Sequence, residues 1–329
     1  MKKIAVLGAG SWGTTLAVLL ANKGLDINLW EPFPDLAENL REARENSKFL
    51  PGVRIPLRVF VTSDLPEAVR EAGVVCMVLP SHVVRWGTQR LDRCQIPADA
   101  VVVTASKGIE NKTNMRMSEV IASELPQRPI VVLSGPSHAE EVSRNIPTCI
   151  VAASPDINLA RRIQGIFMTP DFRVYTNRDL VGVELGGALK NIIAIACGIC
   201  DGLALGDNTK AALMTRGLAE IVRLGVAMGA KRATFAGLAG MGDLITTCTS
   251  RHSRNRGLGE TLGKGQSLQD VLNGMVMVAE GVRTTKSAYQ LSRKYRVKMP
   301  ITEAVYGILF GQKGPHSLVS ALMEDAGPE

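Results

Sequence analysis

Residues 3–13, KIAVLGAGSWG, decide the fold. The apolar run Ile4 to Leu7 reads as a strand buried on both faces. It leads straight into Gly8-x-Gly10-x-x-Gly13, and a helix-forming run, SWGTTLAVLLANK (11–23), follows. A second strand, DINLW (26–30), comes next. Glycines at that spacing are a weak signal alone. Placed between a strand and a helix, with another strand behind, they read as the pyrophosphate turn of a dinucleotide-binding fold. Gly8 admits the tight turn, Gly10 lets pyrophosphate approach the backbone, and Gly13 lets helix and sheet pack closely. The amides of Ser11 and Trp12 fall at the positive end of the helix. A glycine-rich turn with no ligand is the alternative.

Hydropathy alone would suggest something else for the same stretch. Met1-Lys2-Lys3 precedes 18 uncharged residues, as in a signal peptide or membrane anchor. Three glycines, a serine and two threonines within it make a poor membrane span. Strand, turn and helix fit better, so the chain is expected to be cytoplasmic with no membrane span.

Further along, strand-like runs recur: RVFVT (58–62), VVCMVLP (74–80), AVVVTA (100–105), IVVLSG (130–135) and TCIVAAS (148–154). Helical patterns at 64–72 and 113–124 lie among them. Such alternation argues an α/β fold with a doubly wound, mostly parallel Rossmann-type sheet. Past residue 178 the texture changes to long helical stretches at 181–200, 207–229, 266–274, 281–295 and 301–311. The boundary is placed on RVYTNRD (173–179). This gives a dinucleotide-binding domain of residues 1–178 and an all-helical substrate domain of residues 179–329, expected to pack around a shared cleft.

Composition narrows the function. At 46% hydrophobic and 21% charged residues, the chain is globular rather than disordered. The net charge of +7 is either ordinary scatter or a match to an anionic ligand. Nucleic acid is not the expected partner, because aromatics are only 4% and the one densely basic run is SRHSRNR (250–256). Cys197 and Cys200 form a lone CxxC inside an apolar stretch, too few ligands for zinc. They read as core thiols in a reducing compartment, and no metal is expected.

Candidate polar groups fall at strand ends, where doubly wound sheets bind ligands. Glu31 closes the second strand, placed either to accept from ribose hydroxyls and repel a 2′-phosphate, or to sit solvated in a loop. The first reading leans toward NAD over NADP. LPSH (79–82) offers Ser81 and His82, and TASKG (104–108) offers Lys107 beside Gly108. In LSGPSHAEE (133–141), Ser137 to Glu140 has capping-box spacing, so a helix is expected to start at Ser137. In the second half Asp243 precedes the basic run. There Ser253, Arg254 and Asn255 stand where a helix could begin, a setting that suits a phosphate monoester or else a solvated loop. Glu280, in VMVAEGVRTTK (276–286), is a cofactor contact or a helix-start acid.

LGGALKNIIAIACGIC (185–200) sets one charge, Lys190, among small apolar residues. Either its stem snorkels over apolar surface, or it faces a closed site where desolvation lowers its pKa for acid/base work.

Together these segments resemble the bacterial type of the NAD(P)-dependent sn-glycerol-3-phosphate dehydrogenase family. The resemblance runs in order through GAGSWGTTLA, FLPG, PSH, SKGIE, SGPSHAEE, GVELGGALKNIIAIACGICDGL, TRGLAEIVRLG, AGMGDLITTCTSRHSRNRGLG, VAEGVRTTK and MPITEAVY. It implies an oxidoreductase with NAD or NADP as cofactor. The reaction implied interconverts glycerol 3-phosphate and dihydroxyacetone phosphate and supplies phospholipid synthesis. It implies Lys190 as proton acceptor, with Lys107 and Asp243 lining the reacting carbon. Substrate contacts implied are Lys107, Gly135, Ser137, Lys190, Asn191, Asp243, Ser253, Arg254 and Asn255. Cofactor contacts implied are Gly8, Gly10, Ser11, Trp12, Gly13, Glu31, Phe33, Lys107, Ala139, Arg254, Val278 and Glu280. A homodimer is expected. The sequence departs from relatives that favour NADPH at Glu31-Pro32-Phe33, where they often carry basic or histidine side chains. Two rival readings are a β-hydroxyacid or 6-phosphogluconate-type dehydrogenase and a non-catalytic dinucleotide sensor.

Overall fold

The computed structural model describes residues 3–275 and 277–323. Its strands are β1 (Lys3–Leu7), β2 (Ile27–Trp30), β3 (Glu45–Asn46), β4 (Leu50–Arg54), β5 (Val59–Thr62), β6 (Ala72–Met77), β7 (Val101–Thr104), β8 (Ile130–Ser134), β9 (Thr148–Ala153) and β10 (Phe172–Asn177). Eight of them form one sheet in the order β10-β9-β8-β7-β6-β1-β2-β5. All neighbours in it run parallel except β8 and β9. The middle strands are buried on both faces, as a sheet covered by helices on each side requires: all six residues of β6 and all four of β2 and β7 are buried. β1 lies between β2 and β6, with Leu7 opposite both Trp30 and Met77. The strand order reverses there, so the Gly8 turn leaves the sheet at the switch point where such folds bind ligands.

The chain forms two compact units. One comprises Met1–Ser106 with Met117–Leu180; the other comprises Lys107–Arg116 with Val181–Glu329. A single linear boundary at 178 therefore misses an excursion. The segment 107–116 belongs to the helical unit, and Ile109 is buried in that unit's core. The expected boundary segment also holds a strand. Phe172 and Val174 point into the sheet unit, while Arg173 and Tyr175 face out, the alternation of an edge strand that charged residues hide from a hydropathy reading. The short hairpin of β3 and β4 carries no strand signal in the sequence, because Pro51 and Gly52 are poor strand formers.

The helical unit is built on helix Leu180–Gly202, whose residues 182–200 are all buried. Among the described residues it is the one helix long and apolar enough to cross a membrane. Yet 83% of its most apolar window is buried within the protein, where it forms the middle of the second core. Cys197 and Cys200 are free thiols buried in that helix. A buried carboxylate, Glu220, fastens helix Pro300–Phe310 by accepting from the amides of Ile301 (2.6 Å) and Thr302 (3.1 Å) and from the Thr302 hydroxyl (2.8 Å).

Candidate active site

In the sheet unit, the turn after β1 has the geometry its glycines anticipate. Gly8 takes φ +107°, and its amide donates to Trp30 across the β1–β2 seam (2.9 Å). A Cβ at Gly13 would lie 1.8 Å from the Gly8 carbonyl oxygen, so the helix start could not sit against the turn with any other residue. A Cβ at Gly10 would meet nothing within 4 Å. That open face, at the N-terminus of helix Ser11–Asn22, fits the pyrophosphate of a dinucleotide. Asn46 is a support the sequence did not disclose: buried, it donates to the Ala9 carbonyl (2.7 Å) and to Thr14 Oγ1 (2.8 Å), bracing the turn. No local motif marks it, because its partners are more than 30 residues away.

Glu31 is buried at the end of β2. Its carboxylate accepts from the backbone amides of Phe33 (3.3 Å) and Ala9, while burial, the larger influence, raises its pKa above the usual range. Two amide bonds leave lone pairs for further donors. Phe33 is 63% exposed and stands at the start of helix Pro34–Ala43. The expected helix start at Ser137 is corrected. Helix Ala139–Val142 has His138 at its cap position, and Ser137 Oγ turns back to donate to the Gly135 carbonyl (2.9 Å). Ala139 accepts from Thr15 Oγ1 (3.4 Å), which ties this short helix to the first one.

In the helical unit, Lys190 does not snorkel. It is 6% exposed, and its ammonium donates to Asp243 Oδ1 and to Thr247 Oγ1 (2.6 Å). Lys107 Nζ holds the other carboxylate oxygen, Asp243 Oδ2, at 2.8 Å. Segments 136 and 53 residues apart from Asp243 in sequence thus meet on one carboxylate. Asp243 begins helix Asp243–Thr249, directly after a π-helical turn, Leu238–Gly242. That turn packs on helix Leu180–Gly202 at Gly186, where a Cβ would come within 2.4 Å of the Ala239 carbonyl oxygen. Gly186, one turn before Lys190, therefore lets the turn that leads into Asp243 pack closely on the helix. Thr247, one turn after Asp243, donates to the Asp243 carbonyl (2.6 Å), leaving a lone pair for Lys190.

The electrostatics follow from this packing. Burial lowers the Lys190 pKa to about 8; Asp243 opposes the drop and Lys107 adds to it. Burial pushes the Asp243 carboxyl upward, but Lys107 and Lys190 together outweigh it and hold it below the ordinary range. A lysine poised near neutrality, beside a fixed anion and a second cation, is equipped to give and take a proton.

A second cluster adjoins through Asn191. Helix Arg254–Gly263 starts at Ser253, whose side chain caps the Arg256 amide (3.2 Å). Arg254 is exposed, and its guanidinium donates to the Val278 carbonyl (3.2 Å). Asn255 is buried and accepts from the Gly281 amide (2.9 Å), next to Glu280 in the first turn of helix Glu280–Tyr295. A Cβ at Gly281 would lie 2.8 Å from both the Asn191 carbonyl and Asn255 Oδ1. Asn191, Ser253, Arg254, Asn255, Val278 and Glu280 thus share one neighbourhood. Val276, in the same sequence stretch, lies outside the described residues.

The chain is similar to known proteins along nearly its whole length. Residues 3–160 match the family profile described as NAD-dependent glycerol-3-phosphate dehydrogenase N-terminus, and residues 179–320 match the profile for its C-terminus. A glycerol-3-phosphate dehydrogenase [NAD(P)+] from Moorella thermoacetica is 57% identical over 98% of this chain and 96% of its own length. Its counterpart from Clostridium perfringens is 49% identical over 98% of both chains. The crystal structure of glycerol-3-phosphate dehydrogenase from Coxiella burnetii superposes with a TM-score of 0.95 at 39% identity, covering 98% of this chain and 99% of that one.

Proposed function

The chain belongs to the NAD-dependent glycerol-3-phosphate dehydrogenase family, and we propose that Lys190, Lys107 and Asp243 carry out its chemistry. It is an oxidoreductase that interconverts sn-glycerol 3-phosphate and dihydroxyacetone phosphate with NAD(P). The observation that carries the residue assignment is the buried Lys190–Asp243–Lys107 cluster.

When bound, the nicotinamide ring accepts or supplies the hydride. In the oxidative direction neutral Lys190 Nζ takes the proton of the secondary hydroxyl as hydride leaves the same carbon, and the carbonyl forms. In the reductive direction the Lys190 ammonium returns that proton to the carbonyl oxygen. With a pKa of about 8, the ammonium form dominates below that pH and suits reduction. Lys107 places a fixed positive charge beside the developing oxyanion. Asp243 holds both amines in position, and Thr247 fixes the Lys190 rotamer.

The phosphate is held by the start of helix Arg254–Gly263. Ser253 and Arg254 are donors there, and Asn255, whose oxygen serves Gly281, keeps its amide hydrogens for phosphate. Gly135, Ser137 and Asn191 complete the substrate contacts. Gly8, Gly10, Ser11, Trp12, Gly13, Ala139, Val278 and Glu280, with Lys107 and Arg254, contact the dinucleotide. Glu31 and Phe33 meet its adenosine end and favour NAD. Action in the cytoplasm as a homodimer, supplying phospholipid synthesis, rests on family membership.

The test is oxidation of NADH and of NADPH, followed by absorbance, with dihydroxyacetone phosphate and with a panel of β-keto acids. Turnover with the phosphorylated ketone alone is expected. Turnover with the keto acids instead would sink the substrate assignment.

A further inference from the structure

The segment 107–116 leaves the sheet unit's chain path and returns to it, yet it is part of the helical unit. Its fold explains how Lys107 is placed. Ile109 and Arg116 pair in an isolated antiparallel bridge, which closes the segment into a loop with Lys107 and Arg116 near its base. Inside the loop, the Glu110 amide donates to the Met115 carbonyl (3.0 Å) and the Asn114 amide to the Glu110 carbonyl (2.8 Å).

Three anchors hold the loop. Ile109 is buried in the core of the helical unit. At the far end, the Asn111 side-chain amide donates to the Arg283 carbonyl (2.7 Å) and to Ser287 Oγ (2.8 Å) on helix Glu280–Tyr295. At the base, Arg116 Nη1 binds Glu184 Oε2 on helix Leu180–Gly202, with the two side chains 11% and 6% exposed. A buried ion pair is a poor source of net stability, because desolvation offsets its attraction. It does impose a geometry.

We infer that Glu184 is a positioning residue for Lys107: through Arg116 it fixes the base of the 107–116 loop, which keeps the Lys107 ammonium on Asp243 Oδ2. The inference rests on the reading of Lys107 and Lys190 given above, but its consequence can be read without catalysis. Lys190 is faced by Asp243 and Cys248 from helix Asp243–Thr249 and by Lys107 from the loop. Releasing Lys107 takes a cation away from Lys190 and leaves Asp243 to Lys190 alone. Both changes favour the ammonium, so the Lys190 pKa rises from about 8. Loss of the Glu184 charge by itself acts in the other direction, since a removed carboxylate can only disfavour a nearby ammonium. The sign of the shift therefore separates positioning from simple charge loss.

The experiment uses the full chain with lysines carbon-13 labelled at Cε. Lys190 is identified as the resonance missing from Lys190→Met, and it is titrated in the native protein, Glu184→Gln, Asn111→Ala and Arg116→Lys. An upward shift in Glu184→Gln and in Asn111→Ala, with Arg116→Lys close to native, is expected. In both shifted variants kcat should fall roughly 10- to 100-fold, as for a misplaced catalytic group, and the acid limb of glycerol 3-phosphate oxidation should move to higher pH. Should Glu184→Gln fail to fold, Glu184→Asp, which keeps the charge but shortens its reach to Arg116, takes its place with the same expected upward shift. Lys190 titrating at its native position or lower in the folded variants would overturn the inference. A raised Lys190 pKa with an unmoved pH–rate profile would uphold the positioning role and count against Lys190 as the base.

Discussion

Replacing Asp243 by asparagine keeps the side chain's size but removes the anion between Lys107 and Lys190. The size of the effect follows from Lys190, whose pKa falls from 10.5 to about 8 on folding. Between those values the folded state binds fewer protons than the unfolded one, so native stability rises as pH climbs through that window. Below it, the shift costs the folded state a constant amount of roughly 3 kcal/mol, at about 1.36 kcal/mol per pH unit. Without the carboxylate the pKa drops further, and in the limit where the amine folds neutral at pH 7 the cost grows to about 5 kcal/mol relative to the unfolded, protonated form. Asp243→Asn therefore loses on the order of 1–2 kcal/mol more through Lys190 at pH 7 and almost nothing at pH 9, where the native lysine is already mostly neutral. The lost Lys107 contact adds to the deficit at both values. Urea unfolding followed by circular dichroism at the two pH values measures the difference. A deficit equal at pH 7 and pH 9 would refute the claim that Asp243 sets the protonation of Lys190.

Two further outcomes concern the ligands. Arg254 is exposed at its helix start, so Arg254→Ala should leave the fold intact. Loss of a charge-assisted hydrogen bond of roughly 1.5–3 kcal/mol should raise the KM for dihydroxyacetone phosphate about 10- to 150-fold; unchanged kinetics would remove Arg254 from the site. Glu31→Ser should move the ratio of kcat/KM values toward NADPH, because it removes the acid that repels a 2′-phosphate. A native enzyme already strongly selective for NADPH would contradict that use of Glu31.

The fold was legible because local and global signals agree at the N-terminus. The Gly8–Gly13 turn needs backbone geometry that only glycine supplies, and strand and helix patterns flank it directly. Chemistry was legible only as isolated candidates. Lys190 stands out by being charged among apolar residues, and Lys107 and Asp243 by lying in glycine-bearing loops, but their meeting depends on packing across more than 50 residues. Separation of more than 30 residues from their partners likewise hides Asn46, Thr247, and the Arg116–Glu184 pair, which carry no motif. Ser137 misled because capping-box spacing describes a possible helix start, and the hydroxyl found the Gly135 carbonyl two residues back instead. The excursion of 107–116 could not be read from texture, since ten residues are too few to change the composition of a domain.

The central claim is that Lys190 moves the proton, and Lys190→Met tests it most directly. Methionine keeps much of the stem's bulk and removes the exchangeable proton and the buried charge. Folding should survive, and NADH titration should give nearly native affinity, because the Gly8–Gly13 turn is untouched. Single-turnover hydride transfer to dihydroxyacetone phosphate should slow by about 10²–10⁴ for lost proton transfer, and by more where the ammonium also stabilises the oxyanion. Hydride transfer within about threefold of native, with cofactor bound normally, would contradict the account, since general acid–base catalysis contributes at least about 10².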